Sequence, residues 1–224
     1  MLKGDYLKPK FLEIAWKDIV IEFRSKSTLS LMILFSLITS MLFSVTVSSY
    51  AQEIGAALLW LIFIFVGMLG YARAFVREVE LETLDGLKLS PVHPASILAG
   101  KMVYNLVLML LTEAVIFPIF AGVFNMNISK PLIFLSILTL GNSAFVVAMS
   151  SLAVLIVKSR SKELLLPVIA FPVVFPVITS TVFALNMAVS GKIQNILQPV
   201  KMIVSFTMII LAVAFLTSEY AFTD

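Results

Sequence analysis

The sequence predicts an all-α polytopic membrane protein with six transmembrane helices, and three observations carry that prediction. Of its 224 residues, 60% are apolar and 13% charged, with a mean hydropathy of +1.07, whereas soluble domains carry about a quarter charged residues. Six apolar runs are each long enough to cross a bilayer, which takes about 20 residues. Strands of alternating polar and apolar residues are absent, so helices must satisfy the backbone hydrogen bonds inside the hydrocarbon. Six spans nearly exhaust the chain, which leaves one transmembrane domain over residues 1–224 and no soluble domain large enough for chemistry of its own.

The elements follow in order. From Phe11 to Arg24, a helical projection puts Phe11, Leu12, Ala15, Trp16, Ile19, Val20 and Phe23 on one half and Glu13, Lys17 and Arg24 opposite. Glu22 intrudes on the apolar arc, and Ile14 and Ile21 on the polar one. Such a helix lies in the membrane interface with Trp16 at headgroup depth, either as a plain anchor or as an elbow that stabilises a moving bundle. The first span, 28–48, holds no charge. It starts too late for a cleavable signal peptide and lacks the small-residue cleavage motif, so it reads as a retained helix. Further spans cover 54–72, 97–123, 131–157, 164–188 and 199–218. Pro167, Pro172 and Pro176 each remove a backbone hydrogen bond from the fifth, which suits a kink or a static bend equally. Gly67 and Gly70 in span two, and Gly141 in span four, permit close helix contact.

Orientation follows from the basic residues. With a cytoplasmic N-terminus, the inside segments hold Lys3, Lys8, Lys10, Lys17, Arg24 and Lys26, then Arg73, Arg77, Lys88 and Lys101, then Lys158, Arg160 and Lys162. Those are thirteen of the 16; only Lys130, Lys192 and Lys201 fall outside. This asymmetry is the positive-inside pattern, and it places the chain in the cytoplasmic membrane with both termini cytoplasmic.

The segment Arg73 to Lys101 is the longest cytoplasmic connection. Glu78, Glu80, Glu82 and Asp85 alternate with Val79, Leu81, Leu84 and Leu87; Asp85-Gly86 offers a helix stop, and Pro91 and Pro94 follow. The pattern predicts a short amphipathic coupling helix ending near Gly86, between spans two and three. It reads either as a solvated loop whose leucines rest on the membrane or as a docking element for a cytoplasmic partner. Glu78, Glu80, Glu82, Leu84, Asp85, Gly86, Leu87 and Pro91 are the candidate docking residues.

Glu113 stands out within the apparent hydrocarbon region as a candidate intramembrane polar site. A central carboxylate costs roughly 2.5 kcal/mol or more, so it must face a polar cavity or a partner. It serves either a substrate path or a hydrogen bond to a neighbouring helix, which Asn142 or Ser143 offers. His93, between Pro91 and Pro94, reads as a surface histidine rather than a heme ligand, and the 11 methionines as packing within spans. With no cysteine, disulfides, thiolate metal sites and covalent heme attachment are excluded. The motif GxxxxGK[ST] is missing: Met102 follows Gly100-Lys101, and Ile193 follows Gly191-Lys192. Any ATP must therefore be hydrolysed by another chain. No catalytic, cofactor-binding or metal-binding residues are assigned, and no nucleic-acid partner is expected.

Several pieces, in order along nearly the whole chain, resemble one family. They are W-K-D-I-V-I-E-F-R at Trp16 to Arg24, L-L-W-L-I-F-I-F at Leu58 to Phe65, and R-A-F-x-R-E-x-E at Arg73 to Glu80. L-D-G-L-K-L-S-P at Leu84 to Pro91, G-K-M-V-Y-N at Gly100 to Asn105 and S-R-S-K-E-L-L-L-P at Ser159 to Pro167 follow. The sequence resembles the permease subunit of ATP-binding-cassette exporters, specifically the cytochrome c maturation protein B, or heme exporter B, family. The resemblance implies a six-helix permease that dimerises and docks cytoplasmic ATPase subunits through the loop after span two. It further implies a role in heme delivery for c-type cytochrome assembly, with ATP used by the partner, heme as substrate, and other cytochrome c maturation membrane proteins as neighbours. Two other readings stand beside it: an exporter permease for a lipid, drug or polysaccharide, and a nontransporting scaffold for assembly partners.

Overall fold

Seven helices follow one another through the residues described in a computed structural model, 10–47, 51–80, 93–156 and 162–222. They are α1 (Lys10–Ser25), α2 (Ser27–Val47), α3 (Ala51–Glu80), α4 (Pro94–Val123), α5 (Pro131–Ile156), α6 (Lys162–Ser190) and α7 (Leu197–Phe222). All but α1 carry an apolar stretch long enough to cross a membrane, and there is no strand among the described residues. The six spans and the interfacial helix expected from the sequence each coincide with one of these helices.

Each helix has a local cause. α2 is rich in hydroxyls that an apolar solvent cannot satisfy, and they turn back onto their own helix. Ser36, Thr39, Ser40 and Thr46 donate to the carbonyls of Met32, Phe35, Ser36 and Leu42 at 2.7, 2.8, 2.6 and 2.9 Å. α4 opens with His93 as its cap, whose Nδ1 accepts from Ala95 N at 3.3 Å, and with Pro94 in the first turn. α6 stops at Gly191, whose φ of 74° is the left-handed conformation that ends helices.

The helix ends depart most from expectation at α3. α3 does not stop where its apolar stretch stops at Tyr71 but continues through Glu80. Arg73 to Glu80 are thus part of α3 and not of a separate helix. Residues 81–92, where the rest of the expected coupling helix falls, lie outside the described residues. The prolines of α6 leave its helix unbroken from Lys162 to Ser190; beside Pro176, Thr179 Oγ1 donates to the carbonyls of Phe175 at 3.1 Å and Pro176 at 3.2 Å.

α3 and α5 form the centre. Leu59, Trp60, Ile62, Phe63 and Val66 of α3 are buried, as are Phe134, Leu138, Phe145, Ala148 and Met149 of α5. Glycines bring these surfaces together: a Cβ on Gly67 would strike the Phe145 ring, and one on Gly70 would lie 3.0 Å from Met32 Sδ. Two polar ties fix the ends of the bundle. At the end carrying Arg24, Tyr71 Oη bonds Val146 O and Ser150 Oγ, both at 3.0 Å. At the other, Ser129 N and Lys130 N donate to Val189 O and Ala188 O, both at 3.2 Å. α2 and α7 bury the smallest share of their apolar stretches and form the outer surface.

Candidate functional site

Two polar constellations interrupt this apolar bundle. The first is built around Glu113, which α4 carries into the interior, where it is buried with 6% of its surface exposed. Asn142 of α5, fully buried, donates its Nδ2 to Glu113 Oε2. Ser143, the alternative partner on the same helix, instead donates to Thr139 O of its own helix at 2.8 Å. The residue before Asn142 is Gly141, and its missing side chain admits two further polar residues. A Cβ there would lie 2.6 Å from Thr181 Cγ2, 2.9 Å from Thr181 Oγ1 and 3.0 Å from Trp60 Cη2. Four helices thus meet in one polar layer, with Trp60 from α3, Glu113 from α4, Asn142 from α5 and Thr181 from α6. Asn142 Oδ1, Trp60 Nε1 and Thr181 Oγ1 are buried without a protein partner. In a solvent as apolar as the helices themselves, such groups are strong determinants of which helices associate and in what register.

The second constellation lies where α1 crosses the start of α4. The face that α1 turns inward carries two carboxylates. Asp18 Oδ2 accepts from Lys101 Nζ at 2.7 Å, with side-chain exposures of only 11% and 15%. Glu22, 1% exposed, accepts through Oε1 from Thr28 N at 2.6 Å and Leu29 N at 2.9 Å, and Tyr104 Oη lies 3.5 Å from its Oε2. The carboxylate therefore occupies the N-terminus of α2, where free amides and the helix dipole both favour an anion. One turn earlier, Gly100 lets α1 approach closely, since a Cβ there would meet Ile14 Cβ, Ile14 Cγ2 and Phe11 O, all at 2.9 Å. The opposite edge of α1 exposes Leu12, Trp16 and Phe23. One apolar arc thus serves two sides, with Ala15 and Ile19 toward the bundle and Trp16 toward the surroundings.

Of the docking residues expected from the sequence, Glu78 and Glu80 fall in the last turn of α3, while Glu82, Leu84, Asp85, Gly86, Leu87 and Pro91 lie outside the described residues. His93 is an exposed helix cap. Asp18, Glu22, Lys101 and Tyr104 had no assigned role in the sequence reading. The available signal was Glu22 itself, an acid on an apolar arc just before a helix whose first turn has no acidic residue of its own.

Among the described residues, no three of His, Cys, Asp and Glu come together in a metal-binding group. The family model for the CcmB protein matches residues 9–223 of the chain. No curated protein matches it.

Proposed function

The chain belongs to the CcmB family, membrane components of heme export and cytochrome c maturation, and from that premise we propose that it is the permease subunit of an ATP-binding-cassette exporter. The observation that carries the proposal is a chain of this family without a phosphate-binding loop, which must borrow its ATPase. Supporting it, α3 is helical beyond its apolar stretch into the acidic tract that starts at Glu78. A stiff extension is suited to carrying force between a cytoplasmic partner and a membrane helix.

In this reading the tract from Glu78 to Pro91 is the docking element, with Leu84 and Leu87 as a small apolar anchor and Glu78, Glu80, Glu82 and Asp85 as its charged rim. A second copy of the chain completes the permease, so that each copy engages one ATPase subunit. Heme is the transported or released substrate, delivered to the membrane partners that assemble c-type cytochromes. Energy at protein interfaces concentrates in a few buried apolar anchors, while rim charges tune specificity and rate. Leu84→Asp or Leu87→Asp buries an unpaired charge and costs several kcal/mol, whereas Glu80→Ala removes one rim charge worth about 1 kcal/mol or less. Copurification of the ATPase, compared at matched membrane amounts, should fail for both leucine variants and persist for Glu80→Ala. Full retention by both leucine variants would move the docking element elsewhere, and ATP hydrolysis by the isolated chain would overturn the permease reading.

A further inference from the structure

We infer that α1 is a strut of the coupling machinery, which ties the start of α4 to the start of α2 so that the two move together. The inference rests on the permease reading above. Its ground is the chemistry of the inward face of α1. A membrane anchor needs only an apolar edge toward lipid, which Leu12, Trp16 and Phe23 supply. Two carboxylates turned toward the bundle add nothing to anchoring and carry a desolvation cost.

They do something else. Ile14, Asp18 and Glu22 recur every four residues, so they lie in a row on one side of α1. That row meets Gly100, Lys101 and Tyr104 in the first turns of α4. The contact is close at Gly100, charged at Lys101 and hydrogen-bonded at the outer limit of distance at Tyr104. Sliding would cost this largely buried pair its 2.7 Å contact while both ions stay desolvated; Lys17 Nζ, 3.3 Å from Asp18 Oδ1, is the more exposed of the two cations at Asp18. The upper end of the same row, Glu22, holds the first amides of α2. One short helix is thus fastened at one end to α4 and at the other to α2.

The position gives the strut its function. α4 begins at Pro94, directly after the segment 81–92 that follows α3. A displacement delivered to that segment reaches the first turns of α4, and through Asp18 and Glu22 it reaches the start of α2. α2 is among the least buried spans, so it can tilt with little loss of packing. Asp18, Glu22 and Lys101 are positioning residues: they touch no substrate and act through the helices that they fasten.

The test uses the full chain coexpressed with its ATPase partner and compares variants at matched membrane amounts. Asp18→Lys and Lys101→Asp should each retain the copurified ATPase and its ATP hydrolysis. Each should lower the yield of c-type cytochrome by about tenfold, the usual scale of a coupling between two sites. The double exchange should restore the yield. A structural role would change the amount of protein, not the ratio of cytochrome formed to ATP hydrolysed. Because the natural chain has no cysteine, the pair Asp18→Cys with Lys101→Cys can be bridged specifically by a short bifunctional thiol reagent, which spans the reach of the lysine side chain where a direct disulfide needs Cα atoms within about 7 Å. A strut that moves as one body should work when bridged. Single variants that keep wild-type coupling, a double exchange that restores nothing, or a bridged protein that is inactive would each overturn the strut. Wild-type chain that captures no ATPase would instead overturn the permease reading itself.

Discussion

Glu113 shows how one side chain can be placed by the solvent around it. In a bilayer its carboxylate has no water to turn to, and Asn142 supplies both a donor and, through the unpartnered Oδ1, an acceptor. A glutamine at 113 can fill both roles, accepting from Nδ2 and donating to Oδ1. Glu113→Gln should therefore unfold in detergent at the wild-type temperature, whereas Glu113→Ala, which strands the carboxamide, should lose about 1–2 kcal/mol. Equal stability of the two variants would show that the polar pair contributes nothing. Glu22 admits a similar comparison at a helix end. Glu22→Gln keeps an oxygen for Thr28 N and Leu29 N, while Glu22→Ala removes a cap worth about 1 kcal/mol. Faster amide hydrogen exchange at Thr28 and Leu29 should appear in the alanine variant and be far weaker in the glutamine one. Both sites were partly visible in the sequence. Asn142 and Ser143 are adjacent, so composition offered two partners for Glu113, and only the rotation of α5 against α4 selects between them. Two of the three anomalies of the α1 pattern, Ile14 and Glu22, turn out to be its contact points, while Ile21 is exposed; a projection of one helix cannot reveal this because the cause sits on α4 and α2.

Among the elements, the spans were legible because hydropathy reports the solvent and six of the helices sit in an apolar one. The same measure puts the end of the second span at residue 72, beside Tyr71 where the apolar stretch ends, but it does not report where the helix ends. Charges beginning at Arg73 mark where the apolar solvent stops, but Ala, Arg and Glu are good helix formers, and the backbone carries on to Glu80. The prolines of α6 were ambiguous for a different reason: whether they bend a helix depends on what replaces the lost hydrogen bonds. Glycine contacts were legible as possibilities, and the structure sorts them. Gly141 and Gly67 sit where a methyl group would collide with Thr181 and with Phe145, while Gly122 has nothing within 4 Å of its Cβ position. Gly141→Ala and Gly67→Ala should each cost about 1–3 kcal/mol from overpacking. Gly122→Ala should be neutral or gain up to about 1 kcal/mol from helix propensity. Thermal unfolding of the three variants in one detergent decides the matter, and a Gly141→Ala protein as stable as Gly122→Ala would mean that α5 and α6 pack less rigidly than described.

At the scale of the whole molecule, the governing quantity is where charge lies relative to six apolar spans. An even number of crossings returns the chain to the face on which it started. The short connections after α4 and α6 contain the sparse basic residues Lys130 and Lys192, and they are tied together by the backbone bonds between Ser129, Lys130, Ala188 and Val189. The opposite end gathers Lys10, Lys17, Arg24 and Lys26 near the start of α2, Arg73 and Arg77 on α3, and Lys101 on α4. Positive residues flanking spans are retained on the cytoplasmic side during insertion, and short loops obey this bias most strongly. An interfacial α1 fits the same orientation, since its exposed Lys17 and Arg24 would then meet the anionic headgroups of the inner leaflet. Reporters that are active only in the cytoplasm should therefore work when fused after Asp224 or inserted between Glu80 and Pro91. A reporter inserted beside Lys192 should work only if it matures outside. Signals from opposite faces at Asp224 and at the Glu80 to Pro91 insertion would require an odd number of crossings between them, and one of α4 to α7 would then have to enter and leave the membrane on the same side.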